Sequence, residues 1–266
     1  MRVAGIDVGS RTVKAVVLEE GDVLLSRRAD TSYDPLAVCR DLLSDVSFDR
    51  LIATGYGRHI VRELYGCPVV TEIRAFALGA RALFPQCRTV LDIGGQDTKV
   101  IALDDEGRVL RFEMNDRCAA GTGRFLEIMA SALRYPVSEF GRAALEAPRT
   151  EKISSMCTVF AESEVISLIT RGARREEVAL GIHEAIGQRV LSMLGRMPAV
   201  QGLVFAGGVA HNVCIRRLVA RCLDAPLVVP SDPQMVGALG AAVQGLYGDS
   251  MRFVATASPG GHLLPS

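Results

Sequence analysis

Two stretches of the sequence place an aspartate, a glycine and a lysine at the same spacing, 85 residues apart. Residues 6–18 read IDVGSRTVKAVVL, and residues 91–103 read LDIGGQDTKVIAL. The matched pairs are Asp7 with Asp92, Gly9 with Gly94, Lys14 with Lys99 and Leu18 with Leu103. An apolar run that ends in Asp-x-Gly and is followed by a second apolar run predicts a β-hairpin with a tight turn. The sequence therefore predicts two related hairpins, each with a carboxylate at the end of its first strand.

Each predicted turn offers groups that suit a polyphosphate and its metal ion. Glycine-turn N–H groups can face phosphate oxygens, and carboxylates can hold Mg²⁺ through water. The first turn (7–12) and the residues around it supply Asp7, Gly9, Ser10, Thr12 and Lys14, and the second turn (92–97) supplies Asp92, Gly94, Gly95, Gln96 and Asp97. We expect Asp7 and Asp92 to address Mg²⁺ through water, and Gln96 either to orient the attacking water or to bond locally. Either turn alone is also typical of an ordinary hairpin, so it is the pair that favours a polyphosphate site.

A third glycine turn follows an apolar segment late in the chain. Residues 203–206 read LVFA and lead through Gly207-Gly208 into a helix predicted near 210–222. A glycine pair lets the backbone approach a flat ring such as adenine, and a helix N-terminus favours anions. Asn212 is a candidate nucleotide contact, with capping of that helix as the alternative. Alone, the pattern is also typical of a simple strand-to-helix turn.

The elements that must position these turns alternate between strands and helices. Besides the hairpins, periodicity predicts a strand at 50–54 and helices at 35–45, 72–84, about 124–134, 160–171, 176–196 and 234–246. The last helix is rich in Gly and Ala, which suits close packing against another backbone. Because the hairpin occurs twice, we predict an α/β protein of two related domains that face a cleft. The predicted domains are 1–85 with about 234–247, and 86–233, which leaves 248–266 as a tail.

The order and spacing of the three turns resemble the phosphate-1, phosphate-2 and adenosine motifs of the actin, sugar-kinase and heat-shock-chaperone ATPases. The matching strings are Asp7-x-Gly-Ser-x-Thr, Asp92-x-Gly-Gly and Gly207-Gly208. This resemblance implies two ribonuclease H-like (actin-like ATPase) domains with ATP and Mg²⁺ between them. A small-molecule kinase, a structural or chaperone ATPase and an ATP-driven electron donor all fit such a site. A kinase would need a base for its acceptor hydroxyl, and no separate motif supplies one.

Two of the seven cysteines precede predicted amphipathic helices. Cys118 stands in NDRCAAGTGRFLE (115–127), and Cys157 begins CTVFAESEVISLI (157–169). A helix N-terminus stabilises a thiolate, and it would also stabilise the negative charge of an iron–sulfur cluster. Two cysteines are too few for a four-iron cluster, but a two-fold dimer supplies four. The alternative is that both cysteines are small buried hydrophobic residues.

Both cysteine strings closely resemble the activator family of 2-hydroxyacyl-CoA dehydratases and benzoyl-CoA reductases, and the resemblance extends from Val3 to about Tyr247. It implies a homodimer that shares one [4Fe-4S] cluster, with Cys118 and Cys157 of each chain as ligands. It also implies an ATP-dependent one-electron donor to such an enzyme, itself reduced by a ferredoxin or flavodoxin. This chain departs from the family at His211, where lysine is expected, which puts a cationic contact there in doubt.

Composition excludes several classes of protein. Thirty basic residues balance thirty acidic ones, which argues against general binding of nucleic acid or an anionic membrane. No apolar run reaches the ~18 residues of a spanning helix. The strand pattern at the N-terminus leaves no room for a signal peptide, so we expect a cytoplasmic protein with free or metal-bound thiols.

The cysteines expected only to pack are Cys39, Cys67, Cys87, Cys214 and Cys222. The turn at residues 55–58 receives no assignment.

Overall fold

The computed structural model describes residues 1–116, 119–154, 157–198, 200–223 and 226–248. All of the predicted tail (248–266) except its first residue lies outside these ranges. The strands are β1 (Arg2–Val8), β2 (Thr12–Glu19), β3 (Asp22–Asp30), β4 (Arg50–Thr54), β5 (Thr89–Ile93), β6 (Thr98–Leu103), β7 (Val109–Asn115), β8 (Leu203–Ala206) and β9 (Leu227–Val228). The helices are α1 (Pro35–Leu43), α2 (Arg58–Tyr65), α3 (Glu72–Leu83), α4 (Gly123–Ala132), α5 (Val137–Leu145), α6 (Thr158–Thr170), α7 (Arg175–Leu194), α8 (Val213–Arg221) and α9 (Val236–Tyr247).

The strands form two sheets of related topology. The first sheet has the order β3-β2-β1-β4, and the second has the order β7-β6-β5-β8-β9. In each sheet an antiparallel meander is joined by a parallel strand, β4 beside β1 and β8 beside β5. Asp7 lies opposite Lys14 in the first hairpin, and Asp92 lies opposite Lys99 in the second. The predicted α/β fold with two related halves is confirmed.

Helices cover both faces of each sheet. Helices α1 and α2 pack on one face of the first sheet, and α9 packs on the other. Helices α4 to α8 cover one face of the second sheet, and α3 covers the other. Each half of the chain therefore contributes its last helix to the sheet of the other half. Helix α3 lies in the predicted 1–85 domain but packs on the second sheet, and the boundary at 85 stays a prediction.

Helices α3 and α9 cross at a contact made by backbone atoms. A methyl group on Gly240 would collide with the carbonyl oxygen of Ala75, and one on Gly79 would collide with the carbonyl oxygen of Val236. Only glycine allows this approach at both positions. The predicted close packing of the last helix against another backbone is confirmed.

Three helix starts differ from the sequence prediction. Helices α2 and α5 were not predicted, and they follow Gly57 and Pro136, neither of which provides a side-chain cap. Helix α8 begins at Val213, because residues 208–211 form a 3₁₀ turn first. Within the described ranges, none of the helices combines the length and the apolar character needed to cross a bilayer.

Candidate functional site

The first turn holds a buried carboxylate beside a lysine. Asp7 is only 4% exposed, and its Oδ2 lies 3.2 Å from Nζ of Lys14. The N–H of Gly9 donates to the carbonyl oxygen of Thr12 at 3.1 Å, which closes the turn. The Lys14 side chain is 12% exposed, and Ser10 is half-buried. The turn thus presents one carboxylate, one ammonium group and hydroxyl groups at the end of β1.

The second turn surrounds its lysine with three carboxylates. Nζ of Lys99 lies 3.1 Å from Asp92 Oδ2, 2.7 Å from Asp97 Oδ2 and 2.9 Å from Glu72 Oε2. Lys99 is 1% exposed and Asp92 is 2% exposed. The other carboxylate oxygen of Asp92, Oδ1, is buried and has no hydrogen-bond partner in the part of the chain that the structure describes. Because an unpaired buried acceptor is costly, this oxygen is suited to receive a donor from a ligand.

The charges of the second turn are coupled. Burial raises the pKa of Asp92 to about 6, although Lys99 acts in the opposite direction. Burial by itself would lower the pKa of Lys99, but Asp92, Asp97 and Glu72 outweigh it and raise that pKa above its ordinary value. Lys99 is therefore a permanent cation, and Asp92 is ionised at neutral pH.

The two turns touch each other. The Arg11 side chain lies directly on Gly95, where a methyl group would collide with its Cγ and would lie 3.2 Å from Oγ of Ser10. Nε of Arg11 then lies 3.1 Å from Oε1 of Glu127, on helix α4 of the second half. The structure thus brings the two predicted phosphate turns together.

Helix α4 is hydrogen-bonded to the second turn through its first backbone groups. The N–H of Gly123 donates to the carbonyl oxygen of Gly94, and the N–H of Arg124 donates to that of Gly95, both at 2.9 Å. The backbone of the second turn is therefore bonded directly to the start of α4.

The third turn lies against the second. Gly207 has φ +85°, and a methyl group there would collide with the carbonyl oxygen of Ile93 and lie 2.5 Å from Asp92 Oδ1. Gly208 follows and is exposed. Asn212 caps α8, because its Oδ1 accepts from two backbone N–H groups at 3.0 Å. Its amide nitrogen lies 2.9 Å from Nε2 of the buried His183.

The sequence matches the model of a known protein family over most of its length. Residues 4–245 match the model of the BadF/BadG/BcrA/BcrD ATPase family. The chain belongs to this family. It is 40% identical over 252 residues to the 2-hydroxyisocaproyl-CoA dehydratase activator of Clostridioides difficile, covering 91% of this chain and 94% of the relative. It is 30% identical over 265 residues to one of the benzoyl-CoA reductase subunits of Thauera aromatica, covering 92% of this chain and 93% of that relative.

A solved structure of a similar protein has the same fold. The activator of the 2-hydroxyisocaproyl-CoA dehydratase from Clostridium difficile, with bound ADPNP, superposes with a TM-score of 0.83 at 40% identity. The match covers 91% of this chain and 93% of the other. The expected resemblance to the dehydratase and reductase activators is confirmed.

The residues of this BadF/BadG/BcrA/BcrD family member fit a magnesium–polyphosphate ligand. Asp92 Oδ1 is a buried acceptor ready for a proton of metal-bound water, and Asp7 offers a second carboxylate in the matching turn. Lys14 and Lys99 differ in what they can do. Lys99 is committed to three carboxylates, whereas Lys14 pairs with Asp7 and stays partly exposed.

The cysteines divide into buried and exposed groups. Cys157 is exposed and stands at the N-terminus of α6, whereas Cys118 lies outside the described residues. In residues 1–116, 119–154, 157–198, 200–223 and 226–248, no three His, Cys, Asp or Glu side chains are grouped so that they could hold a metal ion. Burial raises the pKa of Cys87 and Cys214 to about 12, in keeping with their predicted packing role. Cys222 is exposed at the end of α8, so the expectation that it packs was wrong.

The sequence analysis missed Glu72 and the burial of Lys99. Lys99 was matched to Lys14 by the repeat, and its sequence position was therefore available, but its burial among carboxylates was not. Glu72 begins α3 and reaches Lys99 from 27 positions earlier in the chain, and no local pattern marks it. Gln96 is exposed in the second turn, and its role with water stays a prediction.

Proposed function

We propose that this chain is an ATP-dependent activator that delivers single electrons to a 2-hydroxyacyl-CoA dehydratase or a benzoyl-CoA reductase. The observation that carries the proposal is the second turn. There, Asp92 Oδ1 has no hydrogen-bond partner among the described residues, and the carbonyl oxygens of Gly94 and Gly95 accept from the first N–H groups of α4. That helix begins five residues after Cys118. The names of similar proteins support the same function, since one activates a dehydratase and another belongs to a reductase.

ATP and Mg²⁺ would bind between the first and second turns. Asp7 and Asp92 would hold the metal through water. Lys14, which pairs with Asp7 and stays partly exposed, would bind phosphate, because Lys99 is held by three carboxylates. The remaining proposed contacts are Gly9, Ser10, Thr12, Gly94, Gly95 and Asp97 for the phosphates, Gly207, Gly208 and Asn212 for the nucleoside, and Gln96 for the attacking water. In the structure, the Asn212 oxygen caps α8 and the Asn212 amide nitrogen lies beside His183, so a contact with the nucleotide would have to replace one of these two.

Cys118 and Cys157 of two chains would hold one [4Fe-4S] cluster in a homodimer. When bound, such a cluster supplies one-electron chemistry at low potential, with a ferredoxin or flavodoxin as its donor. Cys157 suits a ligand because it is exposed at a helix N-terminus, where N–H groups and the helix dipole stabilise negative charge. Because the second turn is hydrogen-bonded to the start of α4, nucleotide binding at this turn would act on the helix that follows Cys118 in the sequence.

The nucleotide site is tested by Asp92→Asn, with Asp22→Asn as the control. Asp22 is an exposed aspartate at the start of β3, where it pairs with Glu19 at the end of the hairpin opposite to the first turn. We expect Asp92→Asn to lower Mg²⁺-dependent ATP hydrolysis by about 10- to 100-fold, as loss of a metal-orienting group does. The control should keep wild-type turnover. Full activity of Asp92→Asn would contradict the site.

The cluster is tested by Cys157→Ser, with Cys222→Ser as the control, because Cys222 is also exposed among the described cysteines. After anaerobic purification, we expect about four irons per wild-type dimer and visible absorption that Cys157→Ser abolishes. Cys222→Ser should keep both, and Cys157→Ser should still bind ATP. Iron retained by Cys157→Ser would contradict the ligand assignment. Sugar-dependent ADP formation without iron would favour the kinase alternative.

A further inference from the structure

The turn at residues 55–58 occupies the same place in the first half that the Gly207 turn occupies in the second. Strand β4 runs parallel to β1, and β8 runs parallel to β5. Gly55 has φ +87°, and a methyl group there would collide with Asp7 Oδ1, as one on Gly207 would crowd Asp92 Oδ1. Each glycine turn therefore lies directly against the carboxylate of its own half.

The first of these turns differs by carrying an arginine. Nη1 of Arg58 donates to the carbonyl oxygen of Gly55 at 2.9 Å. The same nitrogen lies 3.9 Å from Oε1 of Glu72, at the start of α3. The other Glu72 oxygen, Oε2, lies 2.9 Å from Nζ of Lys99 in the second half. One carboxylate is thus shared by a cation from each half of the molecule.

These contacts complete a chain of polar groups behind the cleft. It runs from the Gly55 turn, beside Asp7, through Arg58 and Glu72 to Lys99, which holds Asp92. The side chains of Arg58 and Glu72 are only 27% and 21% exposed, so solvent screens them less than a surface pair.

We propose that Arg58 and Glu72 are positioning residues for ATP hydrolysis, which hold the aspartates of the two turns in fixed relation across the cleft. The proposal rests on the ATPase site proposed above. Both groups act through others, because Arg58 is engaged by Gly55 and Glu72, and Glu72 is engaged by Arg58 and Lys99. Their removal should therefore disturb the alignment of the site more than its affinity for nucleotide.

The test is a double-mutant cycle in the full-length chain, with steady-state ATP hydrolysis measured at saturating Mg²⁺. We expect Arg58→Gln and Glu72→Gln each to lower kcat by about 10-fold, with KM for ATP changed by less than about 2-fold. The double variant should be no slower than the slower single variant, because both changes break the same link. Arg58→Lys, which keeps the charge, should recover most of kcat.

The matched control is Arg62→Gln, an arginine one turn later on the same helix, which should keep wild-type kcat. Unchanged kcat in Arg58→Gln, a main effect on KM, or additive losses in the double variant would each overturn the proposal. If Glu72→Gln does not fold, Arg58→Gln and Arg58→Lys decide between the outcomes by themselves. A wild-type chain without ATPase activity would instead refute the proposed function, so the two failures are distinguishable.

Discussion

His183 should make the stability of this protein depend on pH. It is fully buried in α7, where its Nδ1 lies 2.7 Å from the carbonyl oxygen of Ala179. The side-chain oxygen of Asn212 accepts the hydrogen bonds that cap α8, so the group facing His183 is the amide nitrogen, which donates to Nε2. The imidazole is then neutral, with its proton on Nδ1. Protonation of Nε2 would place its N–H against the N–H of the Asn212 amide. Turning that amide over to offer its oxygen would break the cap of α8.

The magnitude follows from the pKa of the buried ring. Burial lowers the pKa of His183 from its ordinary value of 6.5 to about 4, against the raising effect of the Ala179 hydrogen bond. The unfolded chain therefore binds the proton first as the pH falls, and folding loses stability. The contribution is complete above pH 6.5, is lost down to about pH 4, and amounts to about 3 kcal/mol in total.

Urea unfolding of the wild type and of His183→Gln, between pH 5 and pH 7.5, measures this contribution. Glutamine can keep a hydrogen bond to Asn212 but does not titrate. The difference in unfolding free energy between the two proteins should shrink by about 2 kcal/mol from pH 7.5 to pH 5. Asp92, whose raised pKa acts in the opposite direction in this window, is present in both proteins and cancels. A difference that stays constant would refute the reasoning.

Two further predictions concern positions around the same helices. Asn212→Asp keeps the cap oxygen but removes the donor to His183 and adds a negative charge, so the pH midpoint of the His183 contribution, followed by urea unfolding, should rise. Gly240→Ala should destabilise the protein by several kcal/mol in thermal unfolding, because its methyl group would collide with a carbonyl of α3. Gly187→Ala is the control, since the methyl group there meets only ordinary contacts at 3.5 Å and should stabilise α7 by about 0.5–1 kcal/mol.

The hairpins were predictable because their signals are local. The repeated Asp-x-Gly turn fixes the register, so Asp7 and Lys14 had to face each other once the turn was placed. Helices α2 and α5 were missed for the opposite reason. They are only 8 and 9 residues long and start without a side-chain cap, so neither a long apolar period nor a capping residue marks them in the sequence. Tertiary packing, and not a local start signal, stabilises them.

The electrostatics of the site depend on contacts between distant parts of the chain. Glu72 reaches Lys99 only because α3 packs on the second sheet, and His183 reaches Asn212 across 29 positions. Neither contact, Glu72 with Lys99 or His183 with Asn212, can be read from a local sequence pattern. The sequence could therefore predict which turns carry the chemistry, but not which buried groups set their charge.

The exchange of α3 and α9 between the sheets bears on how such a chain could have arisen. A half-length ancestor with this topology would have left one face of its sheet bare, because its last helix covers the sheet of its neighbour. In a dimer of two such copies, the last helix of each copy would have covered the bare face of the other copy's sheet. A tandem duplication would then have joined two halves that already depended on this exchange of helices. By the same reasoning, a fragment ending at residue 85 should be insoluble alone and should be recovered only when it is produced together with residues 86–266.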